Sequence, residues 1–152
     1  MNRQTRVAWA AGFFDGEGSV GTPTRRHINI SISQVDPRPL AIVKELFGGK
    51  IFFHDSAGVR RNGDRWKPQW RYHLSGYQAS VALREMLPYL IVKRDSAELA
   101  IEMARTMRPT RKGRPSKLSA EETARREDLA GKIRYLNHDK GSKVRVRHDS
   151  RG

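Results

Sequence analysis

The stretch Val7-Ala-Trp-Ala-Ala-Gly-Phe-Phe-Asp-Gly-Glu-Gly-Ser-Val20 constrains this chain more than any other. An apolar, small-residue helix pattern runs from Val7 to Phe14 and halts at Asp15-Gly16-Glu17-Gly18. The two glycines there can supply the backbone angles that end a helix and begin a strand. Ala8, Ala11 and Gly12 fall at i, i+3 and i+4, giving one face with almost no bulk, which lets another backbone approach closely. Val7, Ala11 and Phe14 lie on an overlapping stripe suited to a core. The acids are out of place. A helix C-terminus carries partial negative charge, so a carboxylate there is unfavourable by a few tenths to about 1 kcal/mol. A divalent cation with oxygen ligands would offset that cost. As a bare pattern, an amphipathic first helix with a glycine stop explains the same residues equally well.

Ala10-Ala-Gly-Phe-Phe-Asp-Gly-Glu-Gly18 resembles the signature of the LAGLIDADG homing endonucleases. Ala10 stands where Leu is usual, and Glu17 keeps a carboxylate where the signature has Asp; Trp9, Ser19 and Val20 also fit. The resemblance implies that this helix is a subunit interface, with Ala8, Ala11 and Gly12 against a second copy. It also implies that Glu17 binds the catalytic metal. Asp15, at the sixth signature position, reads as helix-terminal and structural.

At 152 residues the chain suits one compact domain. Its formal charge of +14 points to a polyanion. The absence of cysteine excludes disulfides, thiolate-ligated zinc and a thiol nucleophile. It suits an intracellular, reducing compartment: a bacterial or phage-infected cytoplasm, or an organelle. With no secretion signal and no apolar run long enough to span a bilayer, the basic charge reads as nucleic acid before membrane.

From Ser19 to Ser33 the pattern alternates with period two, Ile28, Ile30 and Ile32 on one face, with a turn near Thr22-Pro23. Arg25, Arg26, His27, Asn29, Ser31 and Ser33 are the polar side. Gln34-Val-Asp-Pro-Arg-Pro39 breaks the strand, and Leu40, Ile42, Val43, Leu46 and Phe47 give a short helix that starts near Pro37 or Pro39 and ends at Gly48-Gly49. A strand begins at Ile51-Phe52-Phe53-His54. A loop follows, with an Asn62-Gly63 turn signal and Arg60, Arg61, Arg65 and Lys67 around it. Trp66 to Ser75 returns as a strand, with Trp70, Tyr72 and Leu74 on one face and Gln69, Arg71 and His73 on the other. A wet outer face is the ordinary state of a half-buried strand. In a chain this basic, the same groups can read base edges, and the major groove admits a two-stranded ribbon. The candidate DNA contacts are therefore Arg25, Arg26, His27, Asn29, Ser31, His54, Arg60, Arg61, Arg65, Lys67, Gln69, Arg71 and His73.

Gly76 to Met107 is mainly helical, broken at Pro88-Tyr-Leu-Ile-Val-Lys-Arg94. Lys93 sits at that break. A surface lysine is usually a solvated charge, but the resemblance places Lys93 beside the active site. It likewise implies a polar residue near the scissile phosphate at Gln34 and a basic one at Arg38. The connector Arg108–Lys117 has no acid, and its Arg111, Lys112 and Arg114 suit phosphate contacts. Ser119 and Glu122 read as a capping box for a last helix that stops at Asn137. From His138 the chain reads as a basic, disordered tail.

The expected fold is α+β, of the αββαββα homing-endonuclease type, with a curved antiparallel DNA-binding sheet and a C-terminal helix. The domain would span 1–137 and the tail 138–152. One signature copy supplies half a site, so a homodimer on a long, roughly palindromic duplex is expected. Mg²⁺ would be held by Glu17 and the Gly16 carbonyl, with Mn²⁺ as a substitute and Ca²⁺ supporting binding only. Lys93 and Gln34, with Arg38 beside them, complete the expected catalytic set. The rival readings are a non-catalytic DNA-binding regulator or an RNA-binding intron maturase on the same scaffold. A basic ribosome-associated protein is blander and leaves Asp15-Gly-Glu-Gly18 unexplained.

Overall fold

A computed structural model describes residues 1–55, 58, 62–65, 67–109 and 117–139. Helix α1 spans Arg3–Glu17, and Asn2 caps its start by accepting from the Thr5 N–H at 2.9 Å. Val7, Ala10, Ala11 and Phe14 recur at i, i+3, i+4 and i+7 and are all buried. The helix does not halt after Phe14. It continues through Asp15 and Gly16 to Glu17, and neither Gly16 nor Gly18 adopts a left-handed φ. Gly18 is required for space. A Cβ there would lie 2.1 Å from Cδ2 of Phe14, whose ring is fully buried and has nowhere to move. Gly18→Ala should therefore cost about 1–3 kcal/mol by overpacking, read as a lowered midpoint in thermal melts; an unchanged midpoint would contradict this packing.

Strand β1 (Gly18–Gly21) pairs antiparallel with β2 (Asn29–Gln34). The expected continuous strand pattern is interrupted: residues 22–28 form a connection in which Arg25 takes φ 59°, so Arg25, Arg26 and His27 lie off the strands. Helix α2 (Arg38–Phe47) follows. Gly48 and Gly49 end it at φ 77° and 91°, and a Cβ on Gly49 would meet the Tyr72 ring at 2.9 Å. Strands β3 (Lys50–His54) and β4 (Gln69–Ser75) complete an open antiparallel sheet of order β1-β2-β4-β3. The second hairpin's return strand thus starts at Gln69, three residues after the expected Trp66, which lies outside the described residues.

Val20, Ile30, Ile32, Tyr72 and Leu74 form the buried face of the sheet and meet the helices. Helix α3 (Gly76–Met86) and a 3₁₀ turn at Leu87–Tyr89 precede α4 (Arg94–Met103). A second 3₁₀ turn, Ala104–Thr106, follows, and then α5 (Ala120–Asp139). Ser119 Oγ accepts from the Glu122 N–H at 3.1 Å, which is half of the expected capping box. The other half is diverted: the Glu122 carboxylate accepts from Arg125 Nε at 2.9 Å, Arg126 Nε at 2.8 Å and the Thr106 hydroxyl. Helix α5 also runs two residues past Asn137, so His138 is helical and does not begin a tail. Residues 140–152 lie outside the described residues. Among the described residues, no helix is long and apolar enough to cross a membrane.

Candidate nuclease site and nucleic-acid face

The end of α1 is tied to the loop before α4. The Asp15 carboxylate accepts three backbone N–H bonds, from Ile91 at 2.7 Å, Val92 at 3.1 Å and Lys93 at 2.9 Å. Burial acts to raise the Asp15 pKa, but these three donors outweigh it, aided by the Lys93 charge, and hold the carboxyl below its ordinary value. Asp15 is thus the structural member of the acid pair. The Lys93 ammonium donates to the Asp15 carbonyl, a C-terminal helix carbonyl, and lies 6.0 Å from the centre of the Phe14 ring. The misfit of acids at a helix C-terminus is therefore partly relieved within the chain itself, by a lysine.

Glu17 is exposed at the last position of α1. Among the described residues, no group of three His, Cys, Asp or Glu side chains converges to hold a metal. At this helix end, among the described residues, one chain thus offers the Glu17 carboxylate, with the Gly16 carbonyl among the last four of the helix. That donor set suits Mg²⁺, which keeps several waters and needs one or two carboxylates plus substrate oxygens. Because Gly18 pairs with Ile32, the end of β2 at Gln34 lies at the same end of the sheet as Glu17. Gln34 shares the face of Ile30 and Ile32 and pairs with Trp70. The topology thus gathers Glu17, Lys93 and Gln34 at one end. Arg38 is held differently. Its guanidinium binds the Asp36 carboxylate, with Nε at 2.8 and 3.0 Å from the two oxygens, and its N–H also bonds Asp36. The side-chain hydrogen bond between them lowers the Asp36 pKa and raises that of Arg38.

The outer face of the sheet is built in rows. Ser19, Ser31, His73 and Lys50 lie side by side across the four strands, and Ser33, Arg71 and Phe52 form the next row. Gln69 and His54 pair at the end near Glu17, while Asn29 sits toward the other end. The four strands contain no Asp or Glu, which leaves the face positive. Ser19, Ser33, Lys50 and Phe52 belong to it although the sequence reading did not single them out as DNA contacts. The signal for Lys50 and Phe52 was period-two spacing with His54. Cross-strand bonds link the polar groups: Ser19 Oγ to Ser31 Oγ at 3.0 Å, Asn29 Nδ2 to His73 Nε2 at 3.1 Å, and Arg71 Nε to Ser33 Oγ at 3.3 Å.

Arg25, His27, Arg65 and Lys67 are exposed. Arg26 leans onto α5, with its Nε 3.5 Å from Glu127. Arg60, Arg61, Arg111, Lys112 and Arg114 lie outside the described residues. On α1 the small-residue face is split. Ala11 is fully buried in the chain's own core, whereas Ala8 is half-buried and Gly12 is open, with nothing within 4 Å of a Cβ built on it. Trp9 and Phe13 stack beside them with ring centroids 5.3 Å apart.

No family model matches this sequence, and no curated protein matches it. Solved structures do. The homing endonuclease I-CvuI, in complex with its target in the presence of 2 mM Ca, aligns over 88% of this chain and 83% of its own. The sequence identity is 20% and the TM-score 0.64. A second structure of I-CvuI, in the presence of 2 mM Mg with DNA not cleaved, aligns over 86% of this chain at 18% identity and a TM-score of 0.49. An α+β chain with an open, four-stranded antiparallel sheet backed by helices, opening on a helix that ends in Asp15-Gly-Glu-Gly18, thus has the fold of the LAGLIDADG homing endonucleases.

Proposed function

We propose that this protein is a site-specific double-strand DNA endonuclease that acts as a homodimer with a divalent metal on a roughly palindromic site. The observation that carries the proposal is the exposed Glu17 carboxylate at a helix end that also holds Lys93 on the Asp15 carbonyl, beside an acid-free sheet, in the fold of an endonuclease bound to its target. Phosphodiester hydrolysis needs an in-line water and stabilisation of charge on the phosphate and the leaving oxygen. A Mg²⁺ held by Glu17 and the Gly16 carbonyl would, when bound, supply Lewis-acid stabilisation and an activated water. Lys93, anchored on the Asp15 carbonyl, brings a positive charge to the same helix end. Gln34 would orient the water from the adjoining strand end. Arg38 would stand beside them, its exposed guanidinium paired with Asp36 until a phosphate displaces that weak surface pair.

The exposed strip of α1 supports the dimer. Ala8 and Gly12 offer close approach, and Trp9 and Phe13 offer apolar area. Beyond them, Ile91 is 84% exposed on the loop bound by Asp15, one turn on from Gly12. Crossing two α1 helices there would bring two Glu17 carboxylates together at a two-fold axis. Gly12→Leu has room in the single chain, so the fold should persist while the dimer is lost. Light scattering on the DNA complex, alongside a thermal melt, checks this; a Gly12→Leu chain that still binds as two copies would contradict the interface.

The test of function is metal-dependent cleavage of a plasmid carrying the DNA that flanks the gene. Linearisation at one site with Mg²⁺ supports the proposal. Tight, sequence-preferring binding with no cleavage in Mg²⁺ or Mn²⁺ would favour a regulator, and preferential binding to a folded intron RNA would favour a maturase.

A further inference from the structure

One face of α5 is directed at a single loop. Arg126 is 4% exposed and its Nη1 donates to the Arg26 carbonyl at 3.1 Å. Two turns on, Arg134 grips Thr22, donating from Nη2 to its carbonyl at 2.9 Å and from Nε to its hydroxyl at 3.2 Å. Asn137 Nδ2 donates to the Val20 carbonyl at 2.8 Å. Glu127 adds the ion pair to Arg26. Ala130 and Ile133 already bury this helix, so the polar groups are not needed merely to seat it. Arg126, Glu127 and Arg134 end on the β1–β2 connection, and Asn137 ends on β1 just before it.

That connection carries backbone strain. Arg25 holds φ 59°, a conformation that a residue with a Cβ disfavours, and its N–H bonds the Thr22 carbonyl at 3.3 Å. Strain of this kind persists where surrounding contacts over-determine the conformation. Here the Thr22 carbonyl receives both the turn bond and the Arg134 bond, and Thr22 itself is 5% exposed. The product of this bracing is two exposed groups, Arg25 and His27, held at the far end of β1 from Glu17. Four strand residues at about 3.4 Å each put the loop roughly 13 Å from Glu17. With a rise of about 3.4 Å per base pair, its side chains would reach about four to six base pairs from the cleavage centre.

We propose that α5 is a positioning element for base recognition: Arg126, Arg134 and Asn137 fix the β1–β2 connection so that Arg25 and His27 contact the outer part of each half-site. The inference rests on the DNA-endonuclease reading above. It makes the C-terminal helix a determinant of sequence preference although it need touch no base itself.

The test is a binding-preference profile in Ca²⁺ over a library randomised at each position of the cleaved site. It compares the parental chain with Arg134→Met, Asn137→Ala and Arg25→Ala, each first melted to establish that it folds. Asn137 is an exposed side chain, so its variant guards against a folding failure of Arg134→Met. The expected result is a drop of about five- to tenfold in base preference confined to the outer positions, the same positions for all three variants. The central positions should be unchanged in all three, and so should the salt dependence of Asn137→Ala, which keeps every charge. Arg134→Lys should recover part of the preference, since one of the two bonds to Thr22 can re-form. A folded Asn137→Ala and Arg134→Met pair with the parental profile would overturn the proposal, as would an equal loss at every position. A parental chain with no sequence preference at all would instead overturn the endonuclease reading.

Discussion

Glu17→Gln should lower the cleavage rate by on the order of 10²–10³ while leaving target binding intact. The amide keeps the size of the side chain and loses the charge, and it is a poor ligand for Mg²⁺. Asp15 cannot substitute, because it is engaged with three backbone N–H groups, and among the described residues no group of three His, Cys, Asp or Glu side chains converges to hold a metal. Binding should hold or improve slightly, because a negative charge near phosphates is removed. Fold stability should rise by a few tenths of a kcal/mol for a related reason, the loss of an anion at a helix C-terminus. The measurement pairs a cleavage assay over a Mg²⁺ titration with a binding assay in Ca²⁺. A Glu17→Gln protein that cleaves at the parental rate with the same Mg²⁺ dependence would sink the site assignment.

Asp15→Asn should act on the fold. One of the two oxygens becomes an NH₂ group facing backbone donors, so at least one of the Ile91, Val92 and Lys93 N–H groups loses its acceptor. The expected cost is about 2–4 kcal/mol, or roughly 5–15 °C in the melting midpoint for a domain of this size. Metal dependence of any residual cleavage should be unchanged, which separates Asp15 from Glu17. The same geometry fixes the acid response. The folded-state pKa of Asp15 lies below its unfolded value of about 3.9, so its contribution is complete above that value and is lost as pH falls through the lower, folded one. Glu122 acts in the same direction. Its hydrogen bond to Arg125, then that to Thr106, hold its carboxyl far below the ordinary range. Urea unfolding should therefore show stability flat from pH 7 to about 5 and falling steadily below about 4, with a shallower fall in Asp15→Asn. A parallel fall in both proteins would contradict the assignment.

Local periodicity made much of this fold readable. Ile28, Ile30 and Ile32 alternate with polar residues and are buried, and Ser119 caps the helix that its spacing announces. Glu17 stood out because a carboxylate at a helix C-terminus needs a reason. What stayed hidden depended on residues far apart in the chain. Ala11 and Gly12 are both small, and only the packing of α1 turns one inward and leaves the other open. The three donors to Asp15 come from 76 to 78 residues away. Gly18 read as a source of helix-ending backbone angles, yet its need is set by the Phe14 ring four residues earlier. Nothing in the helical spacing singled out Arg126 and Arg134, because burial of a guanidinium is decided by carbonyls on another element. The ion pair of Asp36 with Arg38 was within reach of local reasoning, since an acid two residues ahead of a helix start commonly bonds the first-turn backbone.

The paired groups on the outer sheet face have a consequence for anyone who would retarget the protein. Asn29 is wedged over Gly21, its Oδ1 lying 2.3 Å from where a Cβ would be, while its Nδ2 holds His73. Arg71 leans on Ser33, and Ser19 on Ser31. Each member of these three pairs is thus oriented by a neighbour on the adjacent strand, and changing one releases the other. Substitutions on this face should be epistatic within such pairs and additive between them. If the proposed function holds, the alphabet for rewriting specificity is the cross-strand pair, with Asn29 and His73, or Ser33 and Arg71, exchanged together.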